Sequence, residues 1–260
     1  SGSGRALAHA LAREGCRLAL SDVRLASVQE TVTQCAALGA EARAYALDVA
    51  NRDAMYAHAE AVKADFGGVD LVINNAGVDL AASVQDMSWE DFEWLMGIDF
   101  WGVAYGSKAF LPHLIASGDG HLVNISSIFG MIGVPMQSAY NAAKFAVRGY
   151  TEALRQEMLL AKLPVQVSAV HPGGIRTNIV QHTRRSAALA DLDVDRLFAR
   201  FARTSADEAA AIIIAGIRAD RPRIFVGLDA RIVDLIQRLS GHRYQNLICW
   251  LIGRASARKT

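Results

Sequence analysis

"DLVINNAG", Asp70 to Gly77, is an apolar run that stops abruptly in two asparagines, an alanine and a glycine. It is apolar on successive rather than alternate positions, as in a parallel strand covered on both faces. Asn and Gly tolerate left-handed backbone, so the tail reads as a turn that closes the strand. The same pattern recurs in both directions along the chain. "RLALSD" (17–22), "ARAYALDV" (42–49), "HLVNISS" (121–127), "VQVSAVHPGG" (165–174) and "RIFVG" (223–227) read as further strands. Helical patterns fall between them, near 5–14, 25–38, 52–66, 89–114, 138–161 and 205–219. Such alternation gives βαβ crossovers, an α/β class and a doubly wound, Rossmann-like parallel sheet.

The 260 residues carry a formal net charge of +1, so no basic stripe marks a nucleic-acid surface. Three scattered cysteines (Cys16, Cys35, Cys249) suit reduced thiols in a cytoplasmic protein. Seven scattered histidines form no metal-ligand spacing, so no metal site is expected. "AAAIIIAGI" is far shorter than the ~18 apolar residues of a membrane span. No charged stretch followed by an apolar core marks a secretion signal. One domain over 1–227, with a substrate lid at 178–204 and a C-terminal helical extension at 228–260, is the economical division. The extension carries an apolar stripe (Ile232, Leu235, Ile236, Leu239) and a basic tip.

Gly2 and Gly4, with Ser3 between them, lead straight into a helix. Glycines there let backbone close on a pyrophosphate at the helix N-terminus, where free N–H groups and the dipole favour anions. "RLALSD" follows at βαβ distance and ends in Asp22, a carboxylate placed to accept hydrogen bonds from ribose hydroxyls. It would repel a 2′-phosphate, and Val23 brings no compensating charge, which favours NAD over NADP. Asp22 also reads as a helix N-cap. "SAYNAAKFAV" (138–147) places Tyr140 and Lys144 on one helix face, a spacing that also serves an ordinary amphipathic rim.

Taken in order and spacing, Gly2-Ser3-Gly4, Asp48-Val49, "NNAG" (74–77), Ser127, Tyr140-x-x-x-Lys144 and "PGGIRT" (172–177) resemble the short-chain dehydrogenase/reductase family over residues 1 to about 227. The family's spacing of thirteen residues before the tyrosine selects Ser127 over Ser126. The resemblance implies that Asp48 and Val49 flank the adenine, while Asn74, Asn75, Ala76 and Gly77 line the cofactor ribose and back the sheet. It implies that Pro172, Gly173, Ile175 and Thr177 hold the nicotinamide end. Tyr140 becomes the acid/base, Lys144 its tuner and ribose anchor, and Ser127 the hydrogen-bond partner of the substrate oxygen.

An unperturbed tyrosine titrates near ~10, too high for a neutral-pH base. An ammonium ~5 Å away at a dielectric of ~20 favours phenolate by roughly 3 kcal/mol, or about 2 pK units. One position departs from the family. Asp99 stands in "DFWGV" where an asparagine is usual, and its charge ~8 Å from the phenol would oppose ionisation by roughly 2 kcal/mol. An alkaline optimum for alcohol oxidation is expected.

The expected activity is hydride transfer between NAD and a secondary alcohol or ketone, probed by a lid with apolar residues (Ile179, Val180, Leu189, Leu192, Leu197, Phe198) that suit a hydrophobic substrate. The competing reading is a catalytically silent dinucleotide-binding or scaffold protein. A sugar-nucleotide epimerase also uses YxxxK but needs a larger C-terminal domain. The resemblance implies a homodimer or homotetramer through helices 89–114 and 138–161, burying Phe100, Phe145 and Val147. No nucleic-acid partner and no membrane contact are expected. The family begins with a strand and a turn before the glycine loop, so the first, central strand is expected to be missing, with roughly 10–20 residues. The strands ending at Asp22 and Asn74 should then stand apart.

Overall fold

The computed structural model describes residues 2–176, 183–186 and 203–257. Helix α1 (Gly2–Arg13) leads to strand β1 (Leu18–Asp22), helix α2 (Leu25–Ala37), β2 (Ala42–Ala46), α3 (Arg52–Phe66) and β3 (Leu71–Asn74). The short β4 (Leu80–Ala81) precedes α4 (Trp89–Met96), a π-helical turn (Gly97–Trp101), α5 (Gly102–Ser117) and β5 (Gly120–Ile125). Then come α6 (Ser138–Ala161), β6 (Val165–Pro172), β7 (Arg184–Arg185), α7 (Ala206–Arg218), β8 (Arg223–Val226), α8 (Leu228–Ser240) and α9 (Tyr244–Ala257).

Strands β3, β5, β6 and β8 form a parallel four-stranded sheet in the order β3-β5-β6-β8. Strands β1 and β2 form a separate parallel pair, Leu18 opposite Ala42 through Asp22 opposite Ala46. Among the described residues β1 and β3 are not hydrogen-bonded to each other, and a cavity of about 2190 Å³ runs between them, touched by Leu20 and Ile73. Within each sheet the strands run parallel, so the carboxyl ends of β3, β5, β6 and β8 open on one edge.

Helices cover both faces, as continuous apolar strands require. Val62 and Phe66 of α3, Phe110 and Leu114 of α5, and Leu154 and Met158 of α6 pack with Leu122 and Val167 on one face. Leu7 of α1 and Ile213 of α7 pack with Val123, Val170 and Ile224 on the other. Local chemistry sets the helix limits. Asn51 accepts a hydrogen bond from the Ala54 N–H at the start of α3, and Gly67 ends it at φ 80°. Ser205 and Glu208 form a reciprocal capping box at the start of α7.

The helix expected over 89–114 is divided. The π-turn at 97–101 accommodates one extra residue, and Asp99 within it is wholly buried. The β4–β7 pair was not expected; Leu80 and Ala81 lie parallel to Arg184 and Arg185. The expected subunit face also changes. Val147 is wholly buried inside the subunit, so it is not available to a partner, whereas Trp101 and Phe145 remain exposed. Thr177 and the lid's apolar residues lie outside the described residues.

A polar chain crosses the interior beneath the sheet edge. The Asn74 amide donates to Asn124 Oδ1 (2.8 Å) and Ser107 Oγ (3.2 Å), and Asn124 Nδ2 donates to Thr151 Oγ1 (3.0 Å). Thr151 in turn donates to the Val147 carbonyl at 2.6 Å. This joins β3, α5, β5 and α6 in one network whose members satisfy each other. Gly106 of α5 makes room for it, because a side chain there would press on the Asn74 amide. Gly106→Ala should therefore lower stability by about 1–3 kcal/mol despite its better helix propensity. Urea denaturation checks this; a variant as stable as the parent would show that the network yields freely.

Candidate active site

Tyr140 and Lys144 occupy the first two turns of α6, with the Lys144 ammonium 5.4 Å from the centre of the Tyr140 ring. The Ser127 side chain stands beside the phenol in the turn after β5 and favours its ionised form. Ser127 also caps a short 3-10 turn, accepting from the Phe129 N–H at 3.1 Å. Its neighbour Ser126 does something different: it donates to the Lys144 carbonyl (2.9 Å) and ties the strand end to α6. The three expected catalytic side chains thus meet at one wall of the cavity.

Asp99 completes the group from the π-turn. Its Oδ2 lies 3.0 Å from Lys144 Nζ, and its Oδ1 accepts from the Val78 N–H at 2.7 Å. Both side chains are buried, Asp99 at 0% and Lys144 at 4% exposure. Lys144 also donates to the Ile125 carbonyl at 3.3 Å. Burial works against the Lys144 charge, but Asp99 foremost, with Tyr140 and Asp79, more than offsets it and holds the ammonium above its ordinary value.

The balance at Tyr140 differs from the sequence expectation. Burial pushes the phenol up to about 12, with Lys144 pulling down and Asp99 and Asp79 pushing further up. Lys144 spends much of its field on Asp99, so the lysine alone does not bring the phenol towards neutrality. Asp79 is itself held above the usual carboxylate range by burial, against hydrogen bonds from Thr183, Leu80 and Gln137.

The expected cofactor residues line the same cavity. Gly2, Ser3 and Gly4 form the first turn of α1 rather than a preceding loop. A Cβ on Gly4 would meet the Asn75 amide nitrogen at 2.8 Å, so glycine allows this close approach. Asp22 ends β1 and accepts from the Arg24 N–H at 2.9 Å, with Arg24 Nε 3.8 Å away. Asp48 turns the chain after β2 by accepting from the Ala50 N–H, and Val49 packs against Gly102. Asn75, Ala76 and Gly77 follow β3; Gly77 is the point where a Cβ would lie 3.5 Å from both Asp99 and Lys144. Pro172, Gly173 and Ile175 close β6. Asn74, by contrast, faces the interior network.

This set fits a dinucleotide. A helix N-terminus with close-approach glycines suits a pyrophosphate, a carboxylate at the next strand end suits ribose hydroxyls, and the Pro172–Ile175 loop lines the same cavity as Tyr140. Among the described residues no cluster of histidine, cysteine or carboxylate could hold a metal ion.

Some contributors carried no sequence signal. Asp229, at the start of α8, accepts from the Gly174 N–H at 2.6 Å and braces the loop expected to hold the nicotinamide. His171 is buried, stacks on Phe225, and donates through Nδ1 to the Ser127 carbonyl at 3.2 Å. Burial pushes its imidazole down to about 4, so it remains neutral. Val233, Ile236, Tyr244 and Leu247 of the C-terminal helices line the cavity, and Tyr244 accepts from the Gly133 N–H at 2.9 Å.

The short chain dehydrogenase family model matches residues 1–188. The chain is 51% identical over 253 residues to the putative oxidoreductase SadH of Mycobacterium tuberculosis, covering 95% of this chain and 90% of that one. It is similar in structure to a short chain dehydrogenase/reductase from Burkholderia phymatum in complex with NAD (TM-score 0.84, 30% identity, 91% of this chain and 89% of that one). A metagenomic short-chain oxidoreductase in complex with NADP is also similar (TM-score 0.63, 31% identity, 66% and 77%). Sequence, fold and site therefore agree that the chain belongs to the short-chain dehydrogenase/reductase family, the NAD(P)-dependent oxidoreductases of CH–OH groups.

Proposed function

We propose that this enzyme prefers NAD and transfers a hydride between it and a secondary alcohol or ketone with a large apolar body. The observation that carries the reading is the meeting of Tyr140, Lys144 and Ser127 at the cavity wall. When bound, the nicotinamide accepts or supplies the hydride. The chain's own residues handle the proton and the oxygen. Ser127 hydrogen-bonds the substrate oxygen, and Tyr140 takes the hydroxyl proton during oxidation or returns it during reduction. Lys144 supports the phenolate and has donors for the ribose hydroxyls. Phe129, Ile132, Val134 and Met136, together with Val233 and Ile236, give the substrate end of the cavity its apolar lining. The exposed Trp101 and Phe145 mark the face we assign to subunit pairing, which sedimentation would report. Three unpaired cysteines are in keeping with a cytoplasmic location. Nothing among the described residues favours a silent scaffold.

Tyr140→Phe should remove nearly all turnover, a loss of about 10²–10⁴-fold or more, while fluorescence titration shows cofactor binding largely kept. Near-normal activity in this variant would refute the mechanism.

Asp22→Ala combined with Val23→Arg should move preference toward NADP, because it replaces repulsion of the 2′-phosphate with attraction. Arg24 beside Asp22 is the residue that works against NAD selectivity. A parent faster with NADP than with NAD, in kcat/KM, would overturn the assignment.

The pH dependence follows from the raised phenol. Oxidation needs the deprotonated form, so its rate should climb as pH rises toward a folded-state value near 12. Asp99→Asn removes one of the groups that raise that value, and the limb should move to lower pH. An unmoved limb in the kcat/KM profile would mean that Asp99 does not act on the phenol.

A further inference from the structure

The C-terminal helix α8 has two apolar faces, and only one of them is used within the subunit. On the inner side Ala230 is buried, Val233 and Ile236 line the cavity, and Asp229 braces Gly174. On the outer side Leu228, Ile232, Leu235 and Leu239 are 72%, 47%, 56% and 79% exposed. At about 100° per residue these four fall within a sector of about 60°. Scattered exposed leucines need no explanation, but a stripe of four along one helix does. The stripe is continuous with the cavity: Ile236 and Leu247 both line it and remain partly exposed, so apolar surface runs from outside over the rim to the interior.

Charge decides what this face suits. From Leu235 to Thr260 the sequence contains no Asp or Glu, but it contains Arg238, Arg243, Arg254, Arg258 and Lys259. Arg231 and Arg238 border the stripe on one flank, and of these Arg238 pairs with Asp234 at 2.8 Å. A second copy of the chain on this face would cover the cavity rim, which Ile236 and Leu247 line. A negatively charged lipid surface suits both the leucines, which the acyl boundary takes up, and the net positive charge of the sequence from Leu235 onward.

We propose that the outer face of α8 docks the enzyme on anionic lipid surfaces, with the cavity rim turned toward the lipid. An apolar substrate would then enter from the lipid phase; that clause rests on the proposed substrate class, whereas the docking itself does not. From the sequence alone the basic tip and a single amphipathic stripe made membrane contact a weak expectation, because the stripe could equally have faced inward.

The test is flotation of the protein with phosphatidylcholine vesicles, with and without phosphatidylglycerol. The protein should float with the phosphatidylglycerol vesicles, less with phosphatidylcholine alone, and less again at high salt, where screening shortens the reach of the arginines. Leu235→Glu with Leu239→Glu should cut the bound fraction about tenfold or more. Neither side chain lines the cavity, so thermal unfolding and turnover of a water-soluble alcohol should be unchanged in that variant. A parent that never floats, or a double variant that floats as well as the parent, would overturn the proposal. So would a double variant whose sole change is dissociation of an oligomer in sedimentation, which would make the stripe a self-contact. Flotation requires no turnover, so its failure is separable from failure of the dehydrogenase reading.

Discussion

The active site depends on one buried ion pair. Lys144 and Asp99 are almost wholly removed from water, and each charge is tolerable there because the other is 3.0 Å away. Removing one partner of such a pair typically costs about 3–5 kcal/mol, since the remaining charge has no solvent to turn to. The carboxylate also takes the Val78 N–H, and the ammonium also donates to the Ile125 carbonyl. One pair thereby connects the turn after β3, the π-turn between α4 and α5, the end of β5 and the start of α6. These are the segments that must be in register for Tyr140, Ser127 and Gly77 to face a common space.

The same pair sets the electrostatic character of the tyrosine. A free ammonium beside a phenol would draw it toward ionisation. An ammonium already matched by a carboxylate draws less, and burial then dominates. The fold supports this arrangement from below with the Asn74–Asn124–Thr151 network, a neutral set of hydrogen bonds that fixes the strands without adding a field of its own. Positioning and charge are thus handled by two separate layers of polar contacts.

Much of this was legible in the chain because the signals were local. Helix α6 begins and ends where its pattern does, and Ser127 was chosen over Ser126 by the family's spacing to Tyr140; in the structure the two hydroxyls have different partners. What escaped depends on contacts between distant residues. Asp229 reaches Gly174 across 55 positions and His171 reaches Ser127 across 44, so neither carries a motif. The pairing of Asp99 with Lys144 was missed for a related reason: the departure from asparagine was visible, but whether its charge would face the lysine or the phenol was not. The stripe on α8 was visible as well, yet periodicity says that a face is apolar without saying which way it looks.

The π-turn at Gly97–Trp101 has an implication for how this site tolerates change. It is one residue longer than a regular α-helical turn, so its backbone hydrogen bonding is poorer than the sequence around it could achieve. Deleting a single residue there would regularise the helix and leave the flanking turns nearly in phase, because the wide turn already absorbs the extra residue. Asp99, inside the wide turn, would lose its aim at Lys144, while Gly102 and Gly106 in the regular helix would keep their places against Val49 and Asn74. The helix and the site are therefore in conflict over one residue. Length variants of this segment should be rarer among functional descendants of the chain than substitutions within it, since a substitution can be absorbed locally and a change of length cannot.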